Sequence, residues 1–144
     1  MLTPSEKIQQ KIINIFIDDY MEDLASIEAG LKDKGIILTI PVSNNIEEVF
    51  DYIHEEYGFE DVIQTVRYSG ERTGVKCDKF SRCYECEEVA AQMLDGSWVG
   101  WTFWHGGGKH GNPEEVPWIE DAYDLDVSEE EKVVIVRTFT KSEV

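Results

Sequence analysis

Positive charge is scarce in this chain: 13 Lys and Arg stand against 30 Asp and Glu, for a formal net charge of −17. Such a surface repels nucleic acid and anionic membranes and attracts basic protein surfaces, so direct nucleic-acid and membrane partners are not expected. No uninterrupted apolar run approaches the ~20 residues that span a bilayer. The first residues also have no basic segment followed by an apolar one, and a cytoplasmic protein is expected. The three cysteines, Cys77, Cys83 and Cys86, are odd in number, which argues against a disulfide framework and for reduced thiols. Internal repeats, linkers and low-complexity segments are lacking as well.

What is present reads as a folded body. Hydrophobic residues make up 42% and aromatics 11% of 144 residues, enough for one domain over 1–144 with a substantial core and an acidic surface. Self-repulsion of that surface disfavours the compact state, which invites a functional reading of the charge. Solubility is the plainer reading.

Thr3-Pro4-Ser5-Glu6 forms a capping box with proline at the first helical position, so a helix starts at Pro4. Its apolar stripe, Ile8, Ile12, Phe16, Tyr20, Leu24, Ile27 and Leu31, runs to Gly35. Unbroken, that helix is about 45 Å long at 1.5 Å per residue, too long for a domain of this size. It is either broken near Met21 to Asp23 or used between subunits, and the unbroken form favours a homo-oligomer. Ile36 to Val42 reads as a short edge strand or extended connection. Asn44 and Glu47 cap a second helix with the stripe Ile46, Val49, Phe50, Ile53 and Tyr57, closed by Gly58.

From Asp61 the period changes to two, with Val62, Val66 and Tyr68 on one side and Ile63 on the other, before a turn at Gly70 to Gly74. Strands are expected at Tyr84 to Met93, Trp98 to His105 and Lys132 to Thr140, the last well buried, with a short helix over Pro117 to Leu125. The expected class is therefore α+β: an N-terminal helical layer (1–58) packed on a mainly antiparallel four- or five-stranded sheet within 61–144.

Asp95-Gly96 predicts a two-residue hairpin turn, which sets register by counting: Leu94 faces Ser97, Met93 Trp98, Ala91 Gly100, Val89 Thr102 and Glu87 Trp104. That face is the expected core face. The other carries Tyr84, Cys86, Glu88, Ala90 and Gln92 against Val99, Trp101, Phe103 and His105, with Cys86 opposite His105. An aromatic and polar face of this kind suits a ligand or catalytic site, built from Tyr84, Cys86, Glu88, Trp101, Phe103, His105 and Lys109. Burial of Trp101 and Phe103 under a loop or the first helix is the structural alternative.

Cys83-x-x-Cys86 with His105-x4-His110 supplies potential zinc ligands, but strand geometry points the two cysteines to opposite faces, and no metal or other cofactor is expected. A Cys86 nucleophile with His105 as base and Glu88 as its orienter is disfavoured by Glu85, Glu87 and Glu88, which raise a thiol pKa. Gly106-Gly107-Gly108-Lys109 is no phosphate loop, because His110 stands where a hydroxyl is needed; it reads as a mobile loop or tight reversal. His54 reads as structural.

Charge distribution carries the leading functional expectation. From His110 to Glu131 the acids Glu114, Glu115, Glu120, Asp121, Asp124, Asp126, Glu129, Glu130 and Glu131 occur without a Lys or Arg. Carboxylates spaced along a surface offer Arg and Lys much of what phosphates do. The expected function is thus a non-enzymatic module whose Glu114, Glu115, Glu120, Asp121, Asp124 and Asp126, flanked by Trp101 and Trp118 as apolar anchors, occupy the basic, nucleic-acid-binding surface of a partner protein. In size and acidity the chain is similar to small inhibitors of nucleic-acid-handling enzymes, including those of phages and mobile elements, a likeness of composition with no motif behind it. The hairpin-face ligand site, and an acidic structural protein self-associating through its first helix, are the competing expectations.

Overall fold

The computed structural model describes residues 1–143, with the side chain of His110 outside the description. Among these residues, helices α1 (Pro4–Asp19), α2 (Leu24–Asp33), α3 (Ile46–Tyr57) and α4 (Glu60–Tyr68) precede a four-stranded antiparallel sheet. Its strands, in the order β1-β2-β3-β4, are β1 (Glu71–Arg72), β2 (Glu85–Gln92), β3 (Trp98–His105) and β4 (Tyr123–Leu125). The fold is α+β, as the sequence predicts.

The capping box forms as expected: Thr3 N–H donates to Glu6 Oε1 at 2.9 Å and Glu6 N–H to Thr3 Oγ1 at 3.2 Å. Helix α1 then buries Ile8, Ile12, Ile13, Phe16 and Ile17. It stops at Tyr20, and a 3-10 turn over Met21–Asp23 leads into α2. Asp18 and Asp19 oppose the negative end of the α1 dipole, whereas Glu22 and Asp23 suit the positive end of α2, so the acids favour a break here. Ile27 and Leu31 are fully buried within the chain itself, which removes the reason for placing the stripe between subunits. A Schellman closure ends α2, with Ile36 N–H on Leu31 O at 2.9 Å and Gly35 at φ 80°.

The 36–42 segment forms no strand; it is held by Gln10, whose Nε2 donates to the Val42 carbonyl at 2.8 Å. The N-cap of α3 is Asn45 rather than Asn44, in the left-handed conformation that asparagine tolerates, and its side chain makes no capping bond.

Three expectations for the second half need correction. Residues 60–68 are helical, burying Val62, Ile63, Val66 and Arg67 at i, i+1, i+4 and i+5, so the helical layer extends ten residues beyond 58 to Tyr68. The 117–125 segment is not a helix but an irregular strap ending in β4. Lys132 to Thr140 is in no strand, and Val133, Val134, Ile135, Val136 and Phe139 are exposed.

The hairpin exists, but its register is shifted by one residue. Gly96 N–H bonds Met93 O at 3.0 Å and Met93 N–H bonds Ser97 O at 2.8 Å, so the loop is Leu94-Asp95-Gly96 with Gly96 at φ 86°, a turn followed by a bulge. Asp95 secures it by accepting from Ser97 N–H at 2.9 Å. Observed partners are Gln92 and Trp98, Ala90 and Gly100, Glu88 and Thr102, Cys86 and Trp104, and Glu85 and His105. The core face therefore carries Val89 and Ala91 with Val99 and Trp101, continuous with the helical core from Ile8 to Val66.

Candidate functional site

The acids do not spread evenly once the chain is folded. Glu47, Phe50 and Asp51 stand at i, i+3 and i+4 on one face of α3, and Glu6 lies in the first turn of α1. Between them runs the 113–120 strap. Its Trp118 is 4% exposed and packs on Trp101 with ring centroids 5.2 Å apart, while Ser5 Oγ donates to the Ile119 carbonyl at 2.8 Å. A groove of about 550 Å³ results, lined by Thr3, Ser5, Glu6, Gln9, Glu47, Phe50, Asp51, Ile119 and Glu120.

A second groove, of about 260 Å³, shares Phe50, Ile119 and Glu120 with the first and adds Glu60, Glu114 and Glu115 around Ile63, Pro117 and Trp118. The two linings together hold seven carboxylates and no Lys or Arg. Three of the seven have local compensation. Glu6 and Glu47 sit at helix N-termini, where the dipole favours anions, and the Thr3 backbone hydrogen bond holds the Glu6 carboxyl below its ordinary pKa. His54 Nε2 also reaches Glu60 Oε1 at 2.7 Å, with its ring against Phe50 and Phe59, the structural role expected of it.

The expected partner-binding residues thus divide. Glu114, Glu115 and Glu120 line the grooves, and no ion pair engages them among the described residues. Asp124 is held by Lys7 at 3.0 Å and Asp121 by Lys79 at 3.8 Å, so distant lysines compensate two acids that look isolated in sequence. Asp126 is exposed outside both grooves. Trp101 and Trp118 cannot anchor a partner: Trp101 is fully buried and Trp118 nearly so. What Trp118 does is tether the acidic strap to the core.

The expected ligand site on the hairpin disperses, because the register shift separates its members. Cys86 lies opposite Trp104, on the other face from His105, and is bonded to Cys77 in a disulfide, contrary to the expectation of reduced thiols. Neither the Cys86–His105 nucleophile pair nor a Cys83–Cys86 zinc site is assembled; Cys83 is free and exposed. No group of three His, Cys, Asp or Glu among the described residues is placed to hold a metal, the His110 side chain lying outside them. Glu88 is buried beside Tyr123 on the outer face, and among the described residues neither its Oε2 nor the Tyr123 hydroxyl has a hydrogen-bond partner. Burial first, and the Glu88 charge second, push the Tyr123 phenol up to about 12.

Tyr84 packs on Gly107, whose φ of 90° places backbone where a side chain would meet the ring, and its hydroxyl accepts from Asn112 N–H at 2.9 Å. The three-glycine run is thus a tight reversal beside Tyr84, with Lys109 exposed on it. Phe103 stacks on His105 at 5.8 Å, and His105 Nδ1 and Nε2 lie 3.7 Å from Glu85 and 4.0 Å from Glu87.

Sequence reasoning missed Glu6, Glu47, Asp51 and Glu60 as members of one surface. Glu6 and Glu47 carried only a helix-start signal in the sequence, and Asp51 and Glu60 carried none, because nothing in the linear chain brings them beside the strap. No family model, no curated protein and no solved structure matches the chain.

Proposed function

We propose that this protein is a non-catalytic acidic binding module, which occupies a basic, nucleic-acid-binding surface of a partner protein in the manner of small phage or mobile-element inhibitors. One observation supports the reading above all: two continuous grooves with seven carboxylates, no Lys or Arg, and apolar Phe50 and Ile119 between the charges. Arginine and lysine side chains suit such a lining, since their heads pair with carboxylates while their stems cover apolar surface.

The experiment is affinity capture from host lysate followed by competition. A basic nucleic-acid-binding protein should be retained, released by added salt and displaced by its own nucleic acid. A variant with Glu47, Asp51, Glu114, Glu115 and Glu120 changed to Gln or Asn should fail to retain it. Capture that survives those substitutions would remove the grooves from the interface.

A further inference from the structure

Arg67 is 1% exposed, in a chain whose positive charges are few, yet no Asp or Glu among the described residues lies within ion-pair distance of it. Arginine does not lose its charge on burial, and a buried charge is ordinarily paired. The described partners of Arg67 are neutral. Its Nη2 donates to the Trp104 carbonyl and its Nη1 to Gln64 Oε1 at a long 3.4 Å. The guanidinium stands 4.5 Å from the Phe103 ring centroid and 5.1 Å from that of Tyr68. Two hydrogen bonds leave donor capacity on a fork with five N–H groups.

That fork lines a cavity of about 200 Å³, together with Tyr68, Gly70, Arg72, Glu87 and Phe103. The cavity shares no lining residue with either acidic groove. A side chain at position 70 has no room, because a Cβ there would meet Val89 at 2.7 Å and Trp101 at 2.9 Å, so backbone alone borders the cavity at that point. Arg72 is the second cation, and it holds the single lining carboxylate, Glu87, at 2.9 Å. The lining is therefore net positive in a strongly negative molecule.

The geometry points to a binding site for a compact oxyanion, a carboxylate or phosphate group of a small molecule, which pairs with Arg67 and is flanked by the Tyr68 and Phe103 rings. Planar bidentate pairing with carboxylate or phosphate is what the guanidinium fork does best. A volume of about 200 Å³ equals that of roughly six or seven water molecules at about 30 Å³ each, so the bound group is small. Arg72 is exposed and already engaged, which makes Arg67 the residue that holds the ligand and Arg72 a charge at the mouth.

The test is an NMR titration of the intact, nitrogen-15-labelled protein with inorganic phosphate and, separately, with sodium acetate, at ionic strength held constant by sodium chloride. Saturable shifts centred on the Arg67 side-chain Nε–H and the Gly70 amide are expected with at least one of the two. Acetate alone would assign a carboxylate, phosphate alone a phosphoryl group, and both a general oxyanion site. Arg67→Lys keeps the charge but not the fork, and should weaken binding at least tenfold. Glu87→Gln, on a partly exposed side chain, should tighten it severalfold by freeing Arg72. No saturable shift with either anion, or affinity unchanged in both variants, would overturn the assignment.

Discussion

A single side chain in this protein takes its role from what surrounds it rather than from its type. Trp101 and Trp118 have the composition of interface anchors, yet they pack on one another beneath the strap. Sequence shows aromatic residues on a strand and cannot show which face is covered, because a one-residue register shift exchanges the faces. His54 is the opposite case, its structural role legible from its place beside a helical stripe. Tyr123 gives a residue-scale prediction. A phenol raised to about 12 stabilises the fold fully below the unfolded value of about 10, and that contribution is lost as pH rises through 12. Absorbance titration of the tyrosinates should therefore show a last ionising component that Tyr123→Phe removes. A component unchanged by the substitution would place the shifted phenol elsewhere.

At the scale of elements, the helices with strong end signals were legible. Thr3 and Glu6 mark the start of α1, and Gly58 closes α3 at φ 66°. Helix α4 was not, because Val62, Ile63, Thr65 and Val66 are β-branched and Val62 with Val66 satisfies both a period of two and i, i+4 spacing. Over nine residues, tertiary burial decided. The hairpin turn shows the same limit, since Asp-Gly serves a two-residue loop and a three-residue loop with a bulge alike. The bulged loop makes Met93 and Ser97 a hydrogen-bonded pair, so Gln92 with Trp98 and Ala90 with Gly100 are close pairs without hydrogen bonds between them. Hα–Hα cross-peaks in a nuclear Overhauser experiment should join those two pairs. Cross-peaks from Ala91 to Gly100 would instead restore the register counted from a two-residue turn. For the 132–140 segment, apolar content predicted a buried strand, but among the described residues nothing covers its apolar side chains. Truncation after Glu131 should accordingly leave the melting temperature within a few degrees of the full chain, as expected for a loss below about 1 kcal/mol. A much larger drop would mean that the segment contributes to the core.

Across the whole molecule, acidity organises what burial leaves outside. A net charge of −17 was plain from composition, but its arrangement was not, because the groove acids come from residues 6, 47, 51, 60, 114, 115 and 120. Only folding puts the first turns of α1 and α3 beside the strap, and only folding gives Asp121 and Asp124 their lysines. Each exposed pair across an interface contributes roughly 0.2–1 kcal/mol, so the grooves act as a sum of modest terms and as a steering field rather than through one anchor. The most direct measurement is the association rate with the captured basic partner as a function of salt, for the wild type, for the variant neutralised at Glu47, Asp51, Glu114, Glu115 and Glu120, and for Asp121→Asn with Asp124→Asn. The wild-type rate should fall steeply as ionic strength rises past physiological, where the Debye length is about 8 Å, and the groove variant should lose most of that dependence while the aspartate variant keeps it. A rate that ignores salt, or a salt dependence retained by the groove variant, would contradict recognition of a basic surface by the acidic grooves.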